Sequence, residues 1–234
     1  MALYAISDLH LALGVDKPMD IFGVHWTNYM DKLKLHWEET VEEDDTVIIP
    51  GDISWATYLE QAVADFKFID CLPGNKIISK GNHDYWWNTI SKLNEFLEKY
   101  SLKTINFMHN NSFELEKRII CGTRGWKCPG DTDFSDDDQK IYNRELKRLE
   151  LSLENGRKAN HDKKIIVAMH YPPFNVKMQP SGFVDIMRNY DVRTCLYGHL
   201  HAKSISKAVM GEINGIEYKL VSADYLEFRP IEVD

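Results

Sequence analysis

Residues 46–56 read TVIIPGDISWA. The first five form a short, β-branched apolar run, the composition of a strand buried on both faces. Gly51 and Asp52 then end it with a turn residue and a carboxylate. The same pattern recurs along the chain. Apolar runs at 3–6, 76–79, 164–169 and 194–197 lead into SDLH, KGNHD, MHYPP and YGHLH, and further runs occupy 118–121 and 216–221. Amphipathic stretches lie between them. At 26–42, Trp26, Met30, Leu33, Trp37 and Val41 recur at steps of three or four, which puts them on one helix face. Residues 57–70 and 88–99 show similar stripes, and the highly charged 137–157 has Ile141, Leu146, Leu149 and Leu153 as its apolar positions. This alternation predicts a layered α/β protein whose Trp and Leu stripes pack in the core.

The composition bounds the rest. The 234 residues carry 28 basic and 36 acidic side chains, a net charge of −8, with 44% hydrophobic and 12% aromatic residues. Such values exclude a disordered or low-complexity chain. No apolar run approaches the ~20 residues that span a bilayer. The start, MALYAISDLH, lacks a basic leader and reaches a charge at Asp8, so it does not read as a secretory signal. One domain over 1–234 and a cytoplasmic location are expected. Cys71, Cys121, Cys128 and Cys195 lack CxxC spacing. Cys71 and Cys195 read as small core residues; Cys121 and Cys128, seven apart, could approach each other as a disulfide, but reduced thiols are the expectation.

In open α/β sheets ligands bind outside the carboxyl ends of the strands. The five strand-end motifs therefore nominate Asp8, His10, Asp52, Asn82, His83, His170, His199 and His201, five of them among the nine histidines of the chain. Asp8 and His10, two apart, face one side of an extended chain, as do His199 and His201. Asp52 can bridge two cations with its two oxygens, and Asn82 offers a neutral carbonyl oxygen. The set mixes nitrogen and oxygen donors without thiolate, which suits Mn, Fe, Zn, Co or Ni better than a thiolate zinc site or an all-oxygen calcium site. Seven ligands exceed one tetrahedral ion. Shared between two ions they leave room for water and substrate, the arrangement that clamps an in-line phosphoryl displacement.

The ordered set D-x-H, G-D, G-N-H-D, H, G-H-x-H resembles that of the calcineurin-like metallophosphoesterases, from Asp8 to His201. GDISWA, GNHDYWW, GTRGW and YGHLH look closest to a bacterial branch of predicted phosphohydrolases. The resemblance implies a two-layer β-sandwich flanked by helices, with a dinuclear metal centre at the strand ends and Mn as the leading metal. Asp8, His10 and His201 would hold the first ion. Asn82, His170 and His199 would hold the second, with Asp52 between them. His83 would protonate the leaving alkoxide or stabilise the transition state, a task that suits an imidazole near neutrality. Asp84 would either orient His83 or be a plain surface acid. A hydroxide shared by the ions would attack phosphorus.

The expected substrate is a small phosphate mono- or diester. Arg124, in GTRGW, either forks onto a phosphate oxygen or serves as a loop arginine. Tyr171, with Pro172 and Pro173, makes a stiff loop beside His170. Trp55, Tyr85, Trp86 and Trp87 either face the substrate or wedge helices against the sheet. The loop 11–23 is long enough to cover part of the metals, and the acidic run 131–138 reads as a solvated face. A nuclease is the alternative enzyme, disfavoured because no Lys/Arg stripe tracks a phosphate backbone. A non-catalytic scaffold of the same fold is disfavoured because His83 and every metal position are present. The sequence leaves oligomeric state open.

Overall fold

A computed structural model describes residues 1–233. The chain divides into two compact units, Met1–Phe107 with Val221–Asp234, and Met108–Leu220. In the first unit β1 (Leu3–Ala5), β2 (Thr46–Pro50), β3 (Asn75–Ser79) and β4 (Ile105–Phe107) run parallel in that spatial order. Every residue of β2 is buried, as its all-apolar reading requires. Its helices are α1 (Tyr29–Thr40), α2 (Val63–Asp70) and α3 (Ile90–Lys99). Leu33 and Trp37 of α1, Phe66 and Ile69 of α2, and Leu93 and Phe96 of α3 share one core with Val47, Ile49 and Ile78 of the sheet.

The second unit holds a six-stranded sheet. β6 (Arg118–Thr123), β7 (Lys164–Met169), β8 (Val192–Tyr197) and β10 (Ile216–Leu220) are parallel, with β5 (Phe113–Glu114) and β9 (Gly211–Ile213) antiparallel at its edges. The short β11 (Ile231–Glu232) returns to the first unit and pairs antiparallel with β1. α4 (Asp136–Ala159) lies on β6, and α5 (Gly182–Asn189) shares its core. Gly156 permits that approach of α4, since a Cβ there would meet Cys121 Sγ and Ile119 Cγ2 at 2.8 Å. The fold is therefore mixed α/β, with two parallel-rich sheets that each carry helices. Among the described residues no helix is long and apolar enough to cross a membrane.

Two expectations change. The helix predicted from residue 26 begins at Tyr29, because Asn28 adopts a left-handed conformation (φ 54°) after a 3₁₀ turn at Val24–Trp26. Trp26 nevertheless stays buried, edge-on to Tyr29 and Phe228. Cys71 is exposed rather than in the core, because it caps the C-terminus of α2, where the helix stripe has ended. The four cysteines are free thiols.

Candidate functional site

Each expected site residue leaves the carboxyl end of a strand, and several do so in a conformation L-residues rarely adopt. Asp8 (φ 59°), His10 (47°), Asp52 (52°) and His199 (72°) all lie in the left-handed region. Outside glycine such residues are uncommon, and they cluster where the surrounding structure fixes a functional geometry. Gly51 precedes Asp52 at φ 91°, and Gly81 packs so close to it that a Cβ would meet Asp52 Oδ1 at 2.1 Å and its N at 2.2 Å.

The first unit gathers Asp8, His10, Asp52 and His83. Asp8, His10 and Asp52 are buried, and Asn82 and His83 half-buried. His10 Nε2 lies 3.8 Å from Asp52 Oδ2, and the backbone N–H of His83 donates to Asp52 Oδ1 at 2.8 Å. The Ser7 hydroxyl donates to Asp8 Oδ2, and Tyr29 donates to the carbonyl of His10 at 2.8 Å. Trp55 stacks on the His10 ring (centroids 4.9 Å, 22°) and tilts against His83 at 4.5 Å. Of the other aromatics, Trp86 is a core wedge against Phe66, whereas Tyr85 is exposed with its ring 6.3 Å from His83.

Asp84 is fully buried, which removes the surface-acid alternative. Its bonds do not serve the His83 ring either. Oδ2 accepts from the N–H groups of Asp52 (2.9 Å) and Gly81 (2.7 Å), and Oδ1 from those of Ile53 (2.9 Å) and Ser54 (3.4 Å) and from the Trp86 indole (3.1 Å). Asp84 thus folds the loop that carries Asp52. Burial pushes its carboxyl up, to about 6, against the opposite pull of these backbone donors. Asp65, overlooked in the sequence, does similar work: fully buried on α2, it accepts from the Ser54 hydroxyl and from Leu13 N at 2.7 Å, tying the loop after β1 to the loop after β2. Burial raises its carboxyl too.

The second unit gathers His170 and His199. His170 Nε2 and His199 Nδ1 stand 3.3 Å apart, with ring planes at 75°. Two imidazole nitrogens bound to one tetrahedral ion at ~2.0–2.1 Å would be about 3.3–3.4 Å apart, so the pair fits a shared cation. His201 is half-buried, its backbone fixed by Ser204, whose hydroxyl accepts from His201 N at 2.8 Å. Tyr171 is buried with its ring 4.2 Å from that of His199. Arg124 behaves chiefly as a loop arginine. Its backbone carbonyl accepts from His170 N and Tyr171 N, its guanidinium lies 3.5 Å from the fully buried Glu145, and it covers the Trp126 ring at 4.4 Å. Glu145 was not foreseen, since an acid on a charged helix reads as solvated.

Residues 1–203 match the calcineurin-like phosphoesterase family. The chain belongs to that family. It is accordingly a metal-dependent phosphoesterase, and Asp8, His10, Asp52, His170 and His201 are candidate metal ligands. No curated protein matches this phosphoesterase in sequence. Among solved structures it is similar to a protein of unknown function from Aquifex aeolicus (16% identity, covering 99% of this chain and 95% of the other, TM-score 0.51). The phosphopantetheinyl hydrolase of Mycobacterium tuberculosis shares 13% identity over 99% and 95% of the two chains, with a TM-score of 0.57. A Thermus thermophilus protein shares 11% over 99% and 97%, with a TM-score of 0.54. Identities this low carry the fold and nothing finer.

Proposed function

We propose that the chain is a cytoplasmic phosphohydrolase that cleaves small phosphate mono- or diesters at a dinuclear centre within one metallophosphoesterase domain. Asp8, His10 and His201 would hold one divalent ion, and Asn82, His170 and His199 the other, with Asp52 shared. The 3.3 Å approach of the His170 and His199 nitrogens carries this reading, because two imidazole nitrogens converge there as ligands to one cation do. Mn is the leading metal, with Fe, Zn, Co or Ni as alternatives of similar donor preference. When bound, the ions lower the pKa of water and neutralise phosphoryl charge.

The chain's own groups do the remaining work. Ser7 and Asp84 fix Asp8 and the Asp52 loop before substrate arrives, which avoids reorganisation during the reaction. The His83 backbone N–H holds Asp52 Oδ1 and so fixes the start of the His83 side chain relative to the site. Its imidazole then donates a proton to the leaving alkoxide oxygen. Trp55 covers His10 and His83 and keeps bulk water from that side. The phosphopantetheinyl hydrolase of similar fold makes phosphopantetheine one substrate worth assaying. The free thiols are those expected of a protein in a reducing compartment.

The test is hydrolysis of p-nitrophenyl phosphate, bis-p-nitrophenyl phosphate and single-stranded DNA by Mn-, Co-, Ni- and Zn-loaded protein, with Asp52→Asn as control. Turnover of a nitrophenyl ester, lost together with metal in Asp52→Asn, is expected. No turnover with any metal overturns the reading, and cleavage confined to DNA replaces it with a nuclease.

A further inference from the structure

The second unit contains a cleft of about 230 Å³ walled by Trp126, Tyr171, Phe174, Val176, Leu200 and the candidate ligand His199. That volume lies below the ~300–1,000 Å³ of pockets for drug-sized ligands, so it admits one fragment of a substrate. The walls are set in advance. The Asp131 carboxylate accepts from Cys128 N and Val176 N, both at 2.7 Å, joining the loop after β6 to the loop after β7. The Asn175 amide donates to the Pro129 carbonyl and to Gln179 Oε1, each at 3.1 Å. The polar wall residues Asp131 and Asn175 are thus engaged in building the cleft. The surface left to a ligand is mainly ring and alkyl.

The rings form an ordered series. Tyr171 lies 5.2 Å from Trp126 on one side and 4.2 Å from His199 on the other. The Arg124 guanidinium covers Trp126 at 4.4 Å and holds the indole in place. A substrate group seated beside His199 therefore meets Tyr171 and Trp126 next. Charges of both signs also line the cleft, Lys127 and the exposed Lys207 beside Asp131 and Asp133, so its selectivity rests on the rings.

We propose that this cleft is a substrate subsite beside His199, and that it selects phosphate esters carrying a flat unsaturated ring, as in aryl or nucleoside esters. This rests on the phosphoesterase reading above. Flat rings gain from rigid aromatic platforms because both faces are apolar and polarisable.

The test uses Mn-loaded protein with whichever nitrophenyl ester it hydrolyses as reporter, and compares inhibition by adenosine 5′-monophosphate and by ribose 5-phosphate. The two share the phosphate and the ribose and differ by the ring. The ring-bearing inhibitor should bind about tenfold or more tightly, as stacking predicts. In Val176→Trp, which fills the cleft from its exposed rim, the ratio should fall toward one. Equal inhibition in the wild type, or an unchanged ratio in Val176→Trp, overturns the subsite and leaves the phosphoesterase reading standing. Absence of reporter hydrolysis with every metal overturns that reading, and the subsite with it.

Discussion

Asp84 separates scaffold from chemistry at the residue scale. Five donors converge on its two oxygens. In Asp84→Asn the new NH₂ opposes donors that had an acceptor, and a buried N–H left unpaired costs ~1–3 kcal/mol. The variant should unfold at lower urea and bind Mn about 10–100-fold more weakly, the usual effect of losing a group that supports a ligand. An unchanged metal titration would show that Asp84 does not hold the Asp52 loop. Gly81→Ala should be harsher, since its Cβ would overlap Asp52 itself. The candidate ligands were legible as residue types at strand ends, because Asp, His and Asn after an apolar run are chemically conspicuous. Their left-handed backbone was not legible, since only glycine announces that conformation. Nor were Asp65 and Glu145: their partners, Ser54 and Leu13 for one, Arg124 and Thr123 for the other, lie far off in sequence and meet only on folding.

At the scale of elements, the acidic run 131–138 proves to be partly a helix start. Ser135 and Asp138 form a reciprocal cap on α4, and Asp136 and Asp137 occupy its first turn, where the helix dipole favours negative charge. Asp138 also accepts from the Trp126 indole at 2.9 Å. The Ser135 donors, then that indole, pull the Asp138 carboxyl from its ordinary 3.8 down to about 2. A folded value below the unfolded one means that the stabilisation is complete above about pH 4 and is lost as pH falls through about 2. Trp126 fluorescence and helix content followed between those values should reveal this loss, and Asp138→Asn should flatten it. Ser135→Ala should cost ~1 kcal/mol, read from denaturant midpoints. The seven apolar runs were legible because burial on both faces leaves continuous β-branched stretches. The two-residue β5 and β11 and the three-residue β4 and β9 were not, being too short for periodicity.

For the whole molecule, two parallel-rich sheets deliver carboxylates and imidazoles at their strand ends, and the net charge of −8 includes Asp8 and Asp52, which cations would offset. Ligands that bind only the native state stabilise it by mass action, ~2.7 kcal/mol at a hundredfold excess over the dissociation constant. Mn should therefore raise the melting temperature of the chelator-treated protein, and Asp52→Asn should abolish much of that rise. The central claim, that His83 supplies a proton at a site whose metals it does not hold, is tested most directly by His83→Ala. Metal content by elemental analysis should match the wild type at two ions per chain, while turnover of the best nitrophenyl ester falls about 10²–10⁴-fold, the usual contribution of a general acid. Undiminished turnover in the metal-replete variant, or loss of metal along with activity, would contradict it.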